Sequence, residues 1–371
     1  MPPLQKLPIS ELPALLPEND LLQMLQLIRQ LYRLSRQSNY RQQVFPQLPE
    51  IARFDPGHDA LMMGYDFHLT EAGPRLIEVN TNAGGGYIAW LSEAQSHAEY
   101  PTRLSPRLQQ RLFGSFTQEW HSFSAGQRPL RRVVIMDDDP SDQPLYPEIV
   151  ACRDWLLEQG LEVEIVTPEQ LQADATGVTV AGQPVDLIYN RHCDFFLEEP
   201  QLADIRIAYL AGKVCLSPNP FAYGLLADKR RMILWSDDAA LTALGVSEKV
   251  RRLLTTVVPR SRLLSECDPD QVWEERKGLV FKPVTRFGSR GVLMGKGISR
   301  KRFAEQEAET TLVQDLVPPS VETAQDGQGY KVDIRLFVYR NHLLGIGARL
   351  YQGQVTNLRT EGGGFAPVRL V

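Results

Sequence analysis

The residues best suited to chemistry sit early in the chain, in the stretch MGYDFHLTEAGPRLIEVN. Asp66 and Glu78 flank a turn signal at Glu71-Ala72-Gly73, where Gly73 can take a positive φ, and Asn80 follows Glu78 by two. A turn centred on Ala72 sets Asp66 opposite Glu78 and Gly64 opposite Asn80. Side chains alternate along a strand, so Asp66, Glu78 and Asn80 then share one face. Two carboxylates and an amide oxygen are hard oxygen ligands, suited to a Mg²⁺ ion that bridges a nucleotide's phosphates. Taken alone, the same hairpin could be a solvated polar face. Apolar Leu76, Ile77 and Val79 around the set speak for a packed setting instead. So do Gly84–Gly86 just beyond, which let another backbone approach closely.

Two lysines come next. Lys282 closes the apolar run GLVFKPV, and the loop that follows carries Gly288, Ser289 and Gly291, a flexible flap with backbone N–H groups free for phosphate. The chain contains no GxxxxGK[ST] loop. Lys229, in ADKRRMIL at a helix start, is a second phosphate-binding candidate or a surface lysine. Arg286 and Arg290 either add charge over the phosphates or stay solvated. TLVQDLVPP runs a strand into a proline-stopped bend, and the backbone at Gln314, Asp315 and Leu316 could hydrogen-bond an adenine edge. KVDIRLFVY sets Asp333 and Arg335 on one face, with Arg349 and Asn357 expected on the two strands after it. Arginines there could grip a transferring phosphoryl group bidentately, or pair with Asp333 as structural ion pairs.

The elements that position these residues follow from periodicity. Leu21, Met24, Leu25, Ile28, Leu31 and Tyr32 predict a helix over 20–35, capped by Asn19 or Asp20. Residues 103–124 read as a second helix, and GQRP at 126–129 as a boundary. RRVVIMD, EVEIVT, VDLIYN and VCLS are buried-strand runs that alternate with helical segments at 147–159 and near 200–211. This is the pattern of a parallel, doubly wound unit over about 130–218. DDDPSDQP after its first strand lacks the dinucleotide glycines, so a Rossmann-like shape without NAD is expected. From 219 onward come a helix over 223–237 and then strands at GLVFKPV, GVLMGK, TLVQDLV, KVDIRLFVY, LLGIGARLYQ and QVTNLRT, as in a mixed α+β region.

The chain's 371 residues, 43% hydrophobic and 23% charged, suffice for two or three domains at ~150 residues each. A net charge of −5 speaks against non-specific nucleic-acid binding, and no apolar stretch approaches a membrane span. The amino-terminal stretch lacks a signal peptide's build. Cys152, Cys193, Cys215 and Cys267 lie far apart, as reduced thiols of a cytoplasmic protein do.

Taken together, the segments resemble the ATP-grasp superfamily. The likeness rests on Lys229, Lys282-Pro283 with its glycine flap, VQDLV, DIRLFV, GIGAR, TNLRTEGGG and DFHLTEAGPRLIEVN. In ordinary members the D…ExN metal strands follow the DIR and N…GG segments. Here they open the chain, an order similar to the circularly permuted ATP-grasp enzymes, glutathionylspermidine synthase and eukaryotic-type glutathione synthetase. The resemblance implies an α/β (α+β) fold with three parts. Residues 1–125 would be the displaced metal-binding part of the ATP-grasp domain, 126–218 a Rossmann-like pre-ATP-grasp domain, and 219–371 the nucleotide-binding part. The chain termini should then lie close together.

The same resemblance implies ATP and two Mg²⁺ as cofactors. Lys229 and Lys282 would bind ATP phosphates, Gln314–Leu316 would form the adenine hinge, and Asp66, Glu78 and Asn80 would hold the metals. Arg349, with Arg335, would stabilise the transferring phosphoryl group. The implied activity is a carboxylate–amine ligase working through an acyl phosphate on small-molecule substrates, amino acids or peptides. A phosphotransferase and a non-catalytic nucleotide-binding module are the alternatives. Specificity would come from Asn190, Arg191, Asn357 and the segment Asn82–Tyr87, with Arg191 equally suited to an interdomain salt bridge. Glutathionylspermidine synthases carry an arginine two residues before the first metal aspartate. This chain has Gly64 there, which argues against a glutathionyl substrate.

Overall fold

The computed structural model describes residues 9–88, 106–284, 291–357 and 360–371. Strand β1 (Ala14–Leu16) leads into helix α1 (Glu18–Ser35). The helix buries Met24, Leu27, Ile28, Leu31 and Leu34, a stripe turned slightly from the expected one, so that Leu21 and Leu25 are only half-buried. Burying side chains of this size stabilises by about 1.5–3 kcal/mol each. The helix starts directly behind Pro17 without the side-chain cap expected of Asn19 or Asp20. Glu18 and Asp20 in the first turn face the positive end of the macrodipole instead.

Strands β2 (Met63–Thr70) and β3 (Gly73–Asn80) form the expected hairpin, by a different route. Thr70 pairs with Gly73, so the loop is only Glu71-Ala72, with Gly73 at φ +96°. Continued regularly, that tight turn would set Asp66 opposite Ile77 and throw Glu78 to the far face. A bulge at Ile77 restores the register: Phe67 pairs with Leu76, Asp66 with Glu78 and Gly64 with Asn80. Helix α2 is described from Pro106 to Phe123.

The middle of the chain forms β4 (Arg132–Met136), helix α3 (Tyr146–Glu158), β5 (Glu162–Val166), β6 (Leu171–Asp174), β7 (Gly177–Val180), β8 (Gln183–Pro184), β9 (Leu187–Asn190), helix α4 (Ala203–Leu210) and β10 (Cys215–Ser217). The parallel sheet has the order β10-β9-β4-β5, as the alternating pattern predicts. Chain direction across it reverses at β4, with β5 on one side and β9 on the other. The small antiparallel β6-β7-β8 sheet was not foreseen; strands of two to four residues carry too little pattern to read.

After residue 219 the expected single helix over 223–237 is broken. Pro220–Ala222 runs into a π-helical turn, Tyr223–Ala227, and the α-helix resumes only at Arg231–Ser236, which leaves Lys229 in the turn between them. Strands β11 (Ser261–Leu263), β12 (Leu279–Pro283), β13 (Leu293–Met294) and β14 (Thr311–Asp315) form an antiparallel sheet in the order β11-β14-β12-β13. Of the expected strand at GVLMGK only Leu293–Met294 pairs. Strands β15 (Ser320–Thr323), β16 (Gly329–Tyr339), β17 (His342–Tyr351), β18 (Gly364–Ala366) and β19 (Val368–Leu370) complete the chain.

The largest sheet joins both ends of the sequence, in the order β18-β17-β16-β2-β3 with β15 beside β16. Among the described residues of QVTNLRT there is no strand. Phe365 of β18 takes the place beside Arg349 that the expected strand would fill, and Asn357 lies in the loop before it. β1 pairs in parallel with β19 and Ile9 bridges to Phe365, so the described ends of the chain lie side by side. One face of the large sheet is apolar: Tyr65, Phe67, Ile334, Leu336, Ala348 and Leu350 are fully buried in the core that includes α1. The opposite face carries the charges. Among the described residues no helix is long and apolar enough to cross a membrane, and all four cysteines are free thiols.

Candidate active site

Strand register brings the charged face together. Asp66 lies between Glu78 on β3 and Arg335 on β16, and Asp333 lies opposite Arg349 on β17. Arg335 grips Asp66 in a bidentate pair, Nε to Oδ1 at 2.5 Å and Nη2 to Oδ2 at 2.6 Å, and its Nη1 donates to the Gly84 carbonyl at 3.0 Å. Arg349 donates to Asp66 Oδ2 at 2.8 Å and also to Asp333. Burial pushes the Asp66 carboxyl up, but the two guanidinium groups more than reverse this and hold it far below the usual carboxylate range. Burial lifts Asp333 above that range despite Arg349. Its Oδ1 is a buried oxygen with no partner among the described residues. Asn80 Nδ2 stands 3.2 Å from Glu78 Oε1 and 3.4 Å from Asp66 Oδ2, which ties the three expected metal residues together.

The bulge that sets this register has a second consequence. It turns the Ile77 carbonyl toward β12, where Lys282 Nζ donates to it at 3.0 Å and to Gln314 Oε1 at 2.7 Å. Burial lowers the Lys282 ammonium to about 8, with Glu78 working against that and the nearby Lys229 charge assisting. Lys282, Glu78, Asp66, Asp333 and Arg349 line a cavity of about 310 Å³, and Val280, Val292, Met294, Leu316 and Val317 give it an apolar lining as well. The N–H groups of Asp315 and Leu316 already donate to the Arg260 and Gly278 carbonyls, so neither is free for an adenine edge. Gly291 is described within a turn, whereas Gly288, Ser289, Arg286 and Arg290 lie outside the described residues.

A second cavity, of about 400 Å³, adjoins the first and shares Glu78, Arg349 and Thr356 with it. Asn80, Asn82, Arg335 and Asn357 line it from the large sheet's side, and Asp137, Gln143 and Arg191 from the parallel unit. The side-chain amide of Asn357 donates to the Gln352 carbonyl at 2.8 Å. Arg191 is almost fully buried and bonds the Tyr189 hydroxyl at 3.1 Å and the Ala83 carbonyl at 3.3 Å, with Glu148 at 3.7 Å. Glu148 in turn accepts from the Gly85 and Tyr87 N–H groups. Asn190 faces its own loop, where it accepts from the His192 N–H at 3.1 Å. What crowds the glycines beyond β3 is side chains rather than the backbone expected. Gly85 sits at φ +90° with the Phe365 ring 2.2 Å from where a Cβ would stand. Gly64 is covered in a similar way, since a Cβ there would lie 3.2 Å from Arg335 Cδ.

Sequence reasoning passed over His68, Lys331 and Tyr351, which line the first cavity. Each lies two residues from a chosen one, Asp66, Asp333 or Arg349, on the same strand, so the two-residue period was the available signal. His68 Nδ1 lies 2.8 Å from the Val317 carbonyl, and burial lowers its imidazole to about 4, so it is a neutral donor at neutral pH.

The donor set suits a hard divalent cation in its chemistry: Asp66, Glu78 and Asn80 on one face, with the orphaned Asp333 oxygen beside them. Asn80 completes that set once its amide is turned to present oxygen. Among the described residues no group of three or more His, Cys, Asp or Glu stands ready for a metal on its own. Ligand oxygens such as phosphates would have to complete the coordination.

No family model and no curated protein sequence matches the chain. Solved structures do. A glutathione synthetase-like effector from Globodera pallida, in its apo form, aligns over 98% of this chain and 90% of its own, with a TM-score of 0.59 at 10% identity. A gamma-glutamylcysteine synthetase-like protein from Methylobacillus flagellatus KT aligns over 91% of this chain and 84% of its own, with a TM-score of 0.51 at 12% identity. The ATP-grasp ligase PsnB, complexed with a minimal precursor, Mg and ADP, aligns over 64% of this chain at a TM-score of 0.33, too low to add to the comparison. On the two whole-chain likenesses, the chain has the overall fold of these glutathione synthetase-like and gamma-glutamylcysteine synthetase-like structures.

Proposed function

We propose that the protein is an ATP- and Mg²⁺-dependent ligase that joins a carboxylate to an amine. The observation that carries this reading is the meeting of Asp66, Glu78, Asp333, Arg349 and Lys282 in a cavity that Val280, Val292, Met294, Leu316 and Val317 also line. The apolar side chains suit a purine, the charged ones a polyphosphate, and the second cavity at Glu78 and Arg349 leaves room for the reacting substrates.

Lys282 and Lys229, with the glycine loop that ends at Gly291, hold the phosphates. The segment from Gln314 through Asp315 and Leu316 to Val317 borders the adenine. Asp66, Glu78 and Asn80 hold two Mg²⁺ ions, with Asp333 beside them. When bound, the metal supplies charge neutralisation for the transferring phosphoryl group. Arg349, at the junction of the two cavities, releases Asp66 and turns to the same charge, while Arg335 keeps Asp66 in place. The γ-phosphoryl group passes to a carboxylate oxygen and leaves ADP. The amine nitrogen then attacks the acyl carbon, and phosphate departs as the C–N bond forms. Small-molecule carboxylates and amines, amino acids or peptides among them, are the substrate class. Residues 1–125 and 219–371 act as two parts of one ATP-grasp domain in circularly permuted order, with 126–218 between them. The pairing of β2 with β16 and of β1 with β19 supports that division.

The test is ADP release, screened with paired amino acids, peptides and polyamines, with products weighed by mass spectrometry. A phosphate-free condensation product with one ADP and one phosphate per turnover is expected. A phosphorylated acceptor would make the protein a phosphotransferase. Mg-ATP binding without ADP from any pair would leave a nucleotide-binding module.

A further inference from the structure

The second cavity has a wall that the ATP chemistry does not use. β4 is the strand at which the parallel sheet changes direction, with β5 on one side and β9 on the other. In open parallel sheets the crevice outside the carboxyl ends of the strands at such a point is where ligands bind. Here β4 ends at Met136 and delivers Asp137 into that crevice, which is part of the second cavity.

Asp137 is only 7% exposed, yet no ion pair among the described residues reaches it. Its Oδ1 accepts from the Asp138 N–H at 2.9 Å. The nearby cation, Arg191, directs its Nη1 to Tyr189 and Ala83 and its Nη2 toward Glu148 at 3.7 Å, and its Nε has no partner among the described residues. Burial raises the Asp137 carboxyl to about 6, with the Arg191 charge working against that rise. Just beyond, Asp139 stands at φ +39° in the left-handed region, which aspartate enters more readily than most residues. A buried carboxylate in a cavity with no ion pair is costly unless a ligand adds compensating charge. A hard metal ion would have to draw nearly all of its six or more oxygens from elsewhere, whereas a single carboxylate suits the donors of an ammonium group.

We infer that one substrate of the second cavity carries a primary or secondary ammonium group and that Asp137 binds it. This rests on the ligase reading for the presence of a substrate there, and it names the charge that substrate carries. Asp137 is a specificity residue of the parallel unit, lining the same cavity as Glu78 and Arg349.

Ligand-observed NMR with a matched pair of probes tests this. L-alaninamide carries an ammonium group, and L-lactamide has a hydroxyl in its place. Both are titrated into the protein with and without Mg-AMPPNP. The wild type should prefer alaninamide by about tenfold or more, the weight of a buried charge-assisted bond. Asp137→Asn should reduce that preference below twofold while AMPPNP affinity, which also reports folding, stays within twofold. Equal binding of the two probes by the wild type would overturn the assignment, as would an unchanged preference in the variant. A protein that shows the Asp137-dependent preference but never binds AMPPNP would overturn the ligase reading and leave Asp137 as a cation receptor.

Discussion

The two large sheets place their chemistry in opposite ways. In the parallel sheet the strands are covered on both faces; β9 and most of β4 are buried, so polar function waits until the strand has ended, at Asp137 and Arg191. In the antiparallel sheet one face packs on the core that includes α1, and the other carries Lys331, Asp333 and Arg335 at two-residue spacing before Phe337 and Tyr339 join a second core. Asp333 and Arg335 are buried too and are held by arginine and aspartate partners, while Lys331 is half-buried and donates to the Gly353 carbonyl. Charged residues inside a strand thus point to function in one sheet, whereas in the other the informative residue is the first one after the strand.

The sharpest way to break this contrast is to change one residue of each kind. Glu78→Ala removes a mid-strand carboxylate from the antiparallel sheet. ADP release should fall about 10³-fold, the loss of several kcal/mol of charge stabilisation, while the melting curve stays cooperative. Near-normal turnover would sink the metal assignment. Ile188→Ala, inside β9, should do the reverse: stability in urea falls by about 2–5 kcal/mol, and AMPPNP affinity of the folded protein is unchanged. A loss of nucleotide affinity without a loss of stability would erase the distinction between the sheets.

Lys282→Met sharpens the antiparallel side. It keeps the length of the side chain and removes the charge, so nucleotide affinity measured by calorimetry should fall about 10–100-fold. The smallest effect is one of pH. The Lys282 ammonium is lowered to about 8 in the free protein, below its ordinary value of 10.5. The folded chain therefore binds fewer protons than the unfolded one between these limits, and this group's contribution to stability rises with pH across that window and is lost as pH falls through 8. Phosphate binding restores the charge, so nucleotide binding at pH 9 should take up a fraction of a proton, and at pH 7 almost none. Calorimetry in two buffers of different ionisation heat reads this, and Lys282→Met should abolish it.

Much of this site was legible because strands repeat every two residues. The pairing of Asp66 with Glu78 came out as expected, although the bulge at Ile77 that produces it leaves no mark in local sequence. The same period pointed to His68, Lys331 and Tyr351, which were passed over because each is unremarkable until its neighbour's role is known. The parallel unit was legible from alternating runs. The π-helical turn before Lys229 was not, because a helix widened by tertiary packing keeps an ordinary helical pattern. Asn357 was placed on a strand by its apolar neighbours, where the loop instead yields that edge to Phe365. The fold itself was legible from a handful of motifs, at a level of similarity where the whole sequence matches its structural neighbours at only 10–12% identity.

The central claim is that Asp66, Glu78 and Asn80 form one metal–nucleotide site with Lys282. Calorimetric titration of AMPPNP into the wild type and Glu78→Ala, each with and without Mg²⁺, tests it most directly. The account predicts that Mg²⁺ tightens binding by about tenfold or more in the wild type and by less than twofold in Glu78→Ala. Equal Mg²⁺ dependence in the two proteins would contradict it.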